Sequence, residues 1–317
     1  MLFIKFLGLL LVVTFASYIL SLGAEGYTKK YGANLVGSIF LALIGTLPEY
    51  MFVIWASLKG NYGVAIGSTI GACTLLITLG YGSVILFATT RVSKKPVHVI
   101  SLSHQTRIDA IYLSITAIIA LFLVWEGGSL DLKDGIILVA IFVAYVIQTT
   151  LHSFASFKPE KENISLKKGS LLLITGGAIV FFASHPFVDT MIEVSHKLGI
   201  NPVTIAILIG PIASEIPEKL TAYITVIRNG ALAEISVCNF IGTKVNHNSL
   251  LIGTLAIIGF LKGDSPVTGM LSIPFLMMTI LTLFATLNIL TGRLTKLQGI
   301  IFTLFYFLVI FIAFKGL

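Results

Sequence analysis

Charge is what this sequence has least of: 21 Lys and Arg and 14 Asp and Glu in 317 residues, 11% in all. A water-soluble domain carries about 25% charged residues, so this chain cannot clothe a water-facing surface. With 56% apolar residues and a mean hydropathy of +0.99, it reads as a membrane protein that has the lipid bilayer as its partner. Cysteine is scarce as well. Cys73 and Cys238 both lie in apolar stretches and make neither a disulfide framework nor a metal-ligand set, so each is expected to be a buried, inert thiol. No Lys/Arg run has interleaved aromatics, and the densest basic cluster is Arg91, Lys94 and Lys95, so the formal charge of +7 does not point to nucleic acid. Long polar linkers are missing too. The longest, residues 157–168, leaves no room for a soluble domain.

A spanning helix needs about 20 mostly apolar residues. Ten such stretches are present, at 2–22, 34–58, 62–90, 107–125, 135–153, 169–190, 202–227, 231–261, 267–290 and 298–316. The first has a secretory-signal look, with Lys5 ahead of an apolar run and small residues at 21–24, but it is read as a span. Basic residues set the orientation. With the N-terminus outside, the inner loops hold Lys29, Lys30, Arg91, Lys94, Lys95, Arg107, Lys158, Lys161, Lys167, Lys168, Arg228, Arg293 and Lys296, against six on the outer side. Both termini are therefore expected outside the cell membrane.

Spans 2–3 and 7–8 carry a repeated pattern. Leu47-Pro48-Glu49 precedes Lys59-Gly60-Asn61, and Ile216-Pro217-Glu218 precedes Arg228-Asn229-Gly230 at the same spacing. A helix with small or polar residues follows each motif: Gly67, Ser68, Thr69 and Gly71 in one half, Ser236, Cys238, Asn239 and Gly242 in the other. The expected fold is thus an all-α membrane protein of ten transmembrane helices, built as two five-helix repeats, 1–157 and 168–317, joined by a cytoplasmic loop at 158–167. Five is odd, so the second repeat is inverted relative to the first. Inverted repeats with interrupted helices, here 2 and 7, point to a secondary transporter whose ion site lies at the repeat interface.

The chemistry follows from the two Pro-Glu motifs. Pro48 and Pro217 have no N–H to offer the carbonyls of Ile44 and Ala213. In hydrocarbon such a carbonyl is tolerated where it lines a cavity or meets a ligand. Glu49 and Glu218 stand beside these breaks, where a lone carboxylate is costly. Two carboxylates, two freed carbonyls and the hydroxyls of Thr46, Ser214 and Thr69 would make a cage for a hard cation. Two kinked helices with snorkelling or protonated Glu side chains are the bland alternative.

At these residues the chain resembles the calcium/cation antiporter superfamily, the exchangers that move Ca²⁺ against Na⁺ or H⁺. That family carries a G-[TS]-S-x-P-E motif in its first repeat, a second Pro-Glu motif, and a small-residue, Asn-bearing helix after each. The matching stretches are Gly45-Thr46-Leu47-Pro48-Glu49 with Gly67-Ser68-Thr69-Ile70-Gly71, and Ser214-Glu215-Ile216-Pro217-Glu218 with Asn239-Phe240-Ile241-Gly242. The resemblance implies that Glu49 and Glu218 are central cation ligands, and that helices 1 and 6 slide over the rest to alternate access. It implies no resident cofactor, since Ca²⁺, Na⁺ and H⁺ are cargo. The sequence also departs from the pattern. The first motif is one residue short, the helix-3 Asn or Asp falls at Leu76, its helix-8 counterpart falls at His247, and Lys244 stands where a small or apolar residue is usual.

The remaining polar residues leave alternatives open. His247 is a proton-exchanging ligand or a bundle histidine. Glu215, three residues before Glu218, is a third site carboxylate or the partner of Lys219 or Lys244. Lys244 pairs with Glu215 or Glu234, or acts as a tethered cation, and Glu234 meets headgroups or Arg228. The leading expectation is antiport of a divalent cation, most simply Ca²⁺, against Na⁺ or H⁺. Its rivals are an exchanger of another cation and a passive channel. An intramembrane enzyme using Glu49 and Glu218 lacks a paired nucleophile and any H-E-x-x-H signature, so the chain is read as no enzyme.

Overall fold

A computed structural model describes residues 1–31, 43–154 and 166–315. The side chains at 25–31, 152–154, 166, 217, 218, 221 and 315 lie outside the described residues. The chain is helical almost throughout. In order come α1 (Leu2–Tyr31), α2 (Leu47–Leu58), α3 (Tyr62–Thr89), α4 (His104–Gly127), α5 (Leu132–Phe154), α6 (Leu166–Leu198) and α7 (Pro202–Arg228). Then follow α8, built of Ala233–Asn246, His247–Leu251 and Ile252–Lys262, α9 (Ile273–Leu290) and α10 (Lys296–Lys315). Among the described residues, seven helices are long and apolar enough to cross a membrane, namely α1, α3, α4, α5, α6, α9 and α10. Large apolar side chains such as Leu11, Phe15, Phe122, Trp125, Phe182 and Leu304 are exposed on the outer helices, as a lipid-facing surface requires.

Local sequence fixes the helix ends. Asn201 Oδ1 accepts from Val203 N at 2.9 Å, and Pro202 fills the first turn of α7, where its missing N–H costs nothing. Ser103 caps α4 in the same way through Thr106 N, and α4 stops at Gly128, whose φ of 62° a side chain would resist. The break expected at the first motif is present. Thr46 is a turn between helical residues 43–45 and α2, with φ −85° and ψ 3°.

The second expected break is not observed. Helix α7 continues without interruption past Pro211 and Pro217. Proline's fixed φ suits a helix, so each ring removes one hydrogen bond without forcing the chain to turn. The carbonyl that Pro211 leaves, that of Ile207, lies against Gly71 of α3, where a Cβ would overlap it. Two π-helical turns were not foreseen: Leu76–Gly80 within α3 and His247–Leu251 within α8. Four short strands were also unforeseen. β1 (Val99–Ser101) pairs antiparallel with β4 (Arg293–Thr295), and β2 (Ser129–Leu130) with β3 (Val267–Thr268). These two ribbons cap opposite ends of α4, tying the loop ends of one half of the chain to those of the other.

Glycines set the close helix crossings. Gly63, Gly67 and Gly71 line one face of α3 against Val203 and Ile207 of α7, and a Cβ on Gly67 would sit 2.7 Å from Val203 O. Gly82 of α3 meets Gly299 of α10, and Gly135 of α5 meets Gly253 of α8, each backbone within about a Cβ's reach of the other's carbonyl. Without a hydrophobic drive between helices in lipid, such close packing is what holds them together. Helices α1 and α6 run antiparallel, with Phe6 stacked on Phe187 at 5.7 Å near one end and Gly23 against Leu173 near the other.

The two ends of the bundle differ in charge. The β1–β4 end holds Arg91, Lys94, Lys95, Arg107, Arg228, Arg293 and Lys296. At the β2–β3 end Lys59 pairs with Asp189, and Lys262 lies 3.3 Å from Asp264, which also accepts from Tyr62 Oη at 2.8 Å. The Tyr62 and Lys262 bonds hold the Asp264 carboxyl below its ordinary range, so this clasp is lost only as pH falls through that lowered value. Overpacking at a tight crossing costs about 1–3 kcal/mol. Gly253→Leu is therefore expected to lower the melting temperature of the detergent-solubilised protein, while Gly8→Ala, with nothing within 4 Å of the added carbon, leaves it unchanged.

Candidate cation site

Helices α2, α7 and α8 bring polar groups together deep in the bundle. Glu49 sits in the first turn of α2, just past the Thr46 break, and is 1% exposed. The helix N-terminus there presents the positive end of its dipole to the carboxylate. Glu215 on α7 and His247 on α8 are 0% exposed. One ligand atom from each of Glu49, Glu215 and His247 lies within 4.8 Å of the other two. His247 Nε2 is 3.5 Å from Glu215 Oε1. His247 opens the π-helical turn of α8, and such turns recur at functional sites because the extra residue re-aims the side chains around it.

Two cations are buried with these carboxylates. Lys219, one turn beyond Glu215 on α7, places Nζ 2.9 Å from Glu215 Oε2, and the same ammonium lies 4.8 Å from the Phe240 ring centroid. Lys244 donates to Asn248 Oδ1 at 2.7 Å, and Cys73 Sγ lies 3.9 Å from the same oxygen. Among the described residues Lys244 thus makes its side-chain hydrogen bond to Asn248 rather than to Glu215 or Glu234, the two pairing partners considered. Asn248 is four residues on, on the same helix face, and Lys219 already holds the carboxylate. Glu234 accepts from Ser103 N at 2.5 Å and Thr106 Oγ1 at 2.6 Å, tying α8 to the start of α4. Cys73 is buried, as expected, yet stands beside a polar group, whereas Cys238 is only half-buried, with Sγ 3.1 Å from Thr106 Oγ1.

A hydrogen-bonded string joins the first motif to α8. Tyr50 Oη donates to Asn246 Oδ1 at 2.5 Å, Asn246 Nδ2 donates to Thr46 Oγ1 at 2.8 Å, and Thr46 Oγ1 donates to Leu43 O at 3.2 Å. Thr46 is thereby fixed beside Glu49. Thr69 and Ser214 each donate down their own helix, to Ala65 O and Gly210 O, both at 3.0 Å. Ile44 packs on the apolar Ala16–Leu20–Val180 cluster, and Ala213 is buried in the core. The side chain of Glu218 lies outside the described residues. The sequence marks Asn246 and Asn248 only as neighbours of His247, without a role, and does not single out Tyr50. Their only signal was adjacency, Tyr50 to Glu49 and the two Asn to His247.

Known proteins share sequence pattern and fold with this chain. The model of the family described as sodium/calcium exchanger protein matches residues 1–151 and 168–315, and the chain belongs to that family of membrane exchangers, which are transporters rather than enzymes. An uncharacterized membrane protein, MJ0091 of Methanocaldococcus jannaschii, is 24% identical over 309 residues, covering 96% of this chain and 95% of that one. Among solved structures, an H⁺/Ca²⁺ exchanger CAX superposes with a TM-score of 0.79 at 22% identity, covering 99% of this chain and 85% of the other. The sodium-calcium exchanger NCX_Mj superposes at 0.70 with 20% identity, covering 98% of each chain. At these identities the likeness shows the shared fold.

The Lys219–Glu215 pair is open to a direct test. Removing one partner of a buried pair costs about 3–5 kcal/mol, whereas replacing both with apolar groups is often neutral. Glu215→Gln is expected to lower the melting temperature clearly, and the Glu215→Leu, Lys219→Met double variant to recover most of the loss, as read by fluorescence-detected thermal unfolding in detergent.

Proposed function

We propose that this protein is a secondary active antiporter that exchanges a divalent cation for Na⁺ or H⁺ by alternating access. The observation that carries the reading is the sealed Glu49–Glu215–His247 cluster, held by three helices at the level of the Thr46 break. Glu49 and Glu218 are the central ligands, Glu215 and His247 complete the charged set, and Thr46, Thr69, Ser214 and the carbonyls of Ile44 and Ala213 supply further oxygens. Calcium is the cation named for the matched family and for both solved neighbours. A second reading, exchange of a different cation, is favoured by Lys219 on Glu215 and by the imidazole in the cluster.

The alternating mechanism needs two similar halves related by inversion, 1–157 and 168–317 flanking a connecting loop at 158–167. Three paired features support it. The π-helical turns fall at matching depths of α3 and α8, the Gly82–Gly299 contact is mirrored by Gly135–Gly253, and the β1–β4 ribbon is mirrored by β2–β3 at the other end. The antiparallel α1–α6 pair is the unit that slides. The basic β1–β4 end faces the cytoplasm by the positive-inside rule, which leaves both termini outside.

Reconstitution in liposomes tests the reading. Uptake of a divalent cation is expected under an imposed Na⁺ gradient or pH gradient and not when both are absent, with Glu49→Gln abolishing it. Equal uptake without any gradient would identify a passive channel, and unchanged exchange in Glu49→Gln would remove the site.

A further inference from the structure

His247 is the group that an oxygen-only cation site does not explain. Its side chain is 0% exposed, and neither ring nitrogen makes a hydrogen bond among the described residues. A buried polar side chain that makes no hydrogen bond is rare and calls for a ligand or a functional cause. Nε2 faces Glu215 Oε1 at 3.5 Å, and a Glu49 oxygen completes a triangle within 4.8 Å. Two ligands bound at 2.0–2.1 Å to a tetrahedral ion lie about 3.4 Å apart, so the His247–Glu215 spacing already suits a small divalent metal.

The surrounding oxygens argue the same way. A calcium ion takes six to eight oxygen ligands. The two amide oxygens that flank His247 in sequence already accept hydrogen bonds, Asn246 Oδ1 from Tyr50 Oη at 2.5 Å and Asn248 Oδ1 from Lys244 Nζ at 2.7 Å. Charge gives calcium little help either. Lys219 already holds the Glu215 carboxylate at 2.9 Å, and the buried Lys244 adds a second positive charge one helical turn from His247, opposing the carboxylates. A hard ion held mainly by charge loses most from that balance, whereas a first-row transition ion gains from a nitrogen donor.

We infer that the site selects a divalent transition metal of the Zn²⁺, Co²⁺ and Fe²⁺ class over Ca²⁺, with His247 Nε2 as the selecting ligand beside Glu49 and Glu215. This rests on the exchange reading of the same site and replaces calcium as its cargo. Binding would draw Glu215 from Lys219 toward the metal, leaving the ammonium over the Phe240 ring, where a cation is already favoured.

Two measurements on the full-length protein test it. In detergent, Co²⁺ titration should give the visible absorption bands of a nitrogen-ligated, low-coordinate ion, with Zn²⁺ displacing it and Ca²⁺ displacing it poorly. In liposomes, Zn²⁺ should compete with Ca²⁺ flux at lower concentration. His247→Asp, an all-oxygen set, should weaken Zn²⁺ binding by about 10–100-fold, the range that even outer-shell changes produce, and shift preference toward Ca²⁺. His247→Gln keeps the shape without the imidazole and should lose the Co²⁺ bands. Wild-type protein that carries Ca²⁺ in preference to Zn²⁺, or keeps its cation preference in His247→Asp, overturns the inference while the exchange reading stands. Metal binding with the expected spectrum but no gradient-driven flux upholds the inference and removes the exchange reading.

Discussion

The centre of this molecule is organised around one constraint: two ammoniums and at least two carboxylates must be kept out of water inside an apolar bundle. Moving an unpaired charge from water into such an interior costs several kcal/mol, so each must be held by a partner in good geometry. Glu215 is the pivot. One of its oxygens holds Lys219 at 2.9 Å and the other faces His247 at 3.5 Å, so a single carboxylate joins α7 to α8. Glu49 approaches the same cluster from the start of α2, whose helix dipole favours its charge. The Tyr50–Asn246–Thr46 string then locks the break in α2 against α8.

The rest of the fold is arranged so that these three helices can meet. Gly67 and Gly71 let α3 and α7 touch backbone to backbone, which brings α7 close enough for Glu215 to reach the cluster. Gly135 and Gly253 do the same for α5 and α8. The two β ribbons fix the loops at either end, so the polar core is clamped from both sides while α1 and α6 pack outside it. Under the proposed mechanism, this frame is what the α1–α6 pair would slide against.

Much of this was legible in the sequence, and the reasons are physical. Runs of about twenty apolar residues are an unmistakable membrane signal, and α3, α4, α5, α7, α8 and α10 fall on the expected spans to within a few residues, whereas α1 and α6 run further and α9 starts later. Glu49, Glu215 and His247 stood out because a charged or titratable residue in such a run is expensive. What stayed hidden depends on the third dimension. A proline does not by itself tell whether a helix breaks: the chain turns at Thr46 ahead of Pro48, while α7 runs on through Pro211 and Pro217. The π-helical turns have no sequence signature, so the aim of His247 and the pairing of Lys244 with Asn248 could not be foreseen. Which lysine holds Glu215 was left open on spacing alone, because Lys219 and Lys244 were both candidates and only the packing of α7 on α8 decides between them.

The central claim is that Glu49, Glu215 and His247 together form the cation site. Crystals soaked in Zn²⁺ and measured at the zinc absorption edge test it most directly. The account predicts one anomalous peak inside the bundle, within about 2.0–2.2 Å of His247 Nε2 and an oxygen of each carboxylate, with Lys219 drawn away from Glu215. A bundle without an internal peak, its Lys219–Glu215 pair intact at saturating zinc, would contradict it.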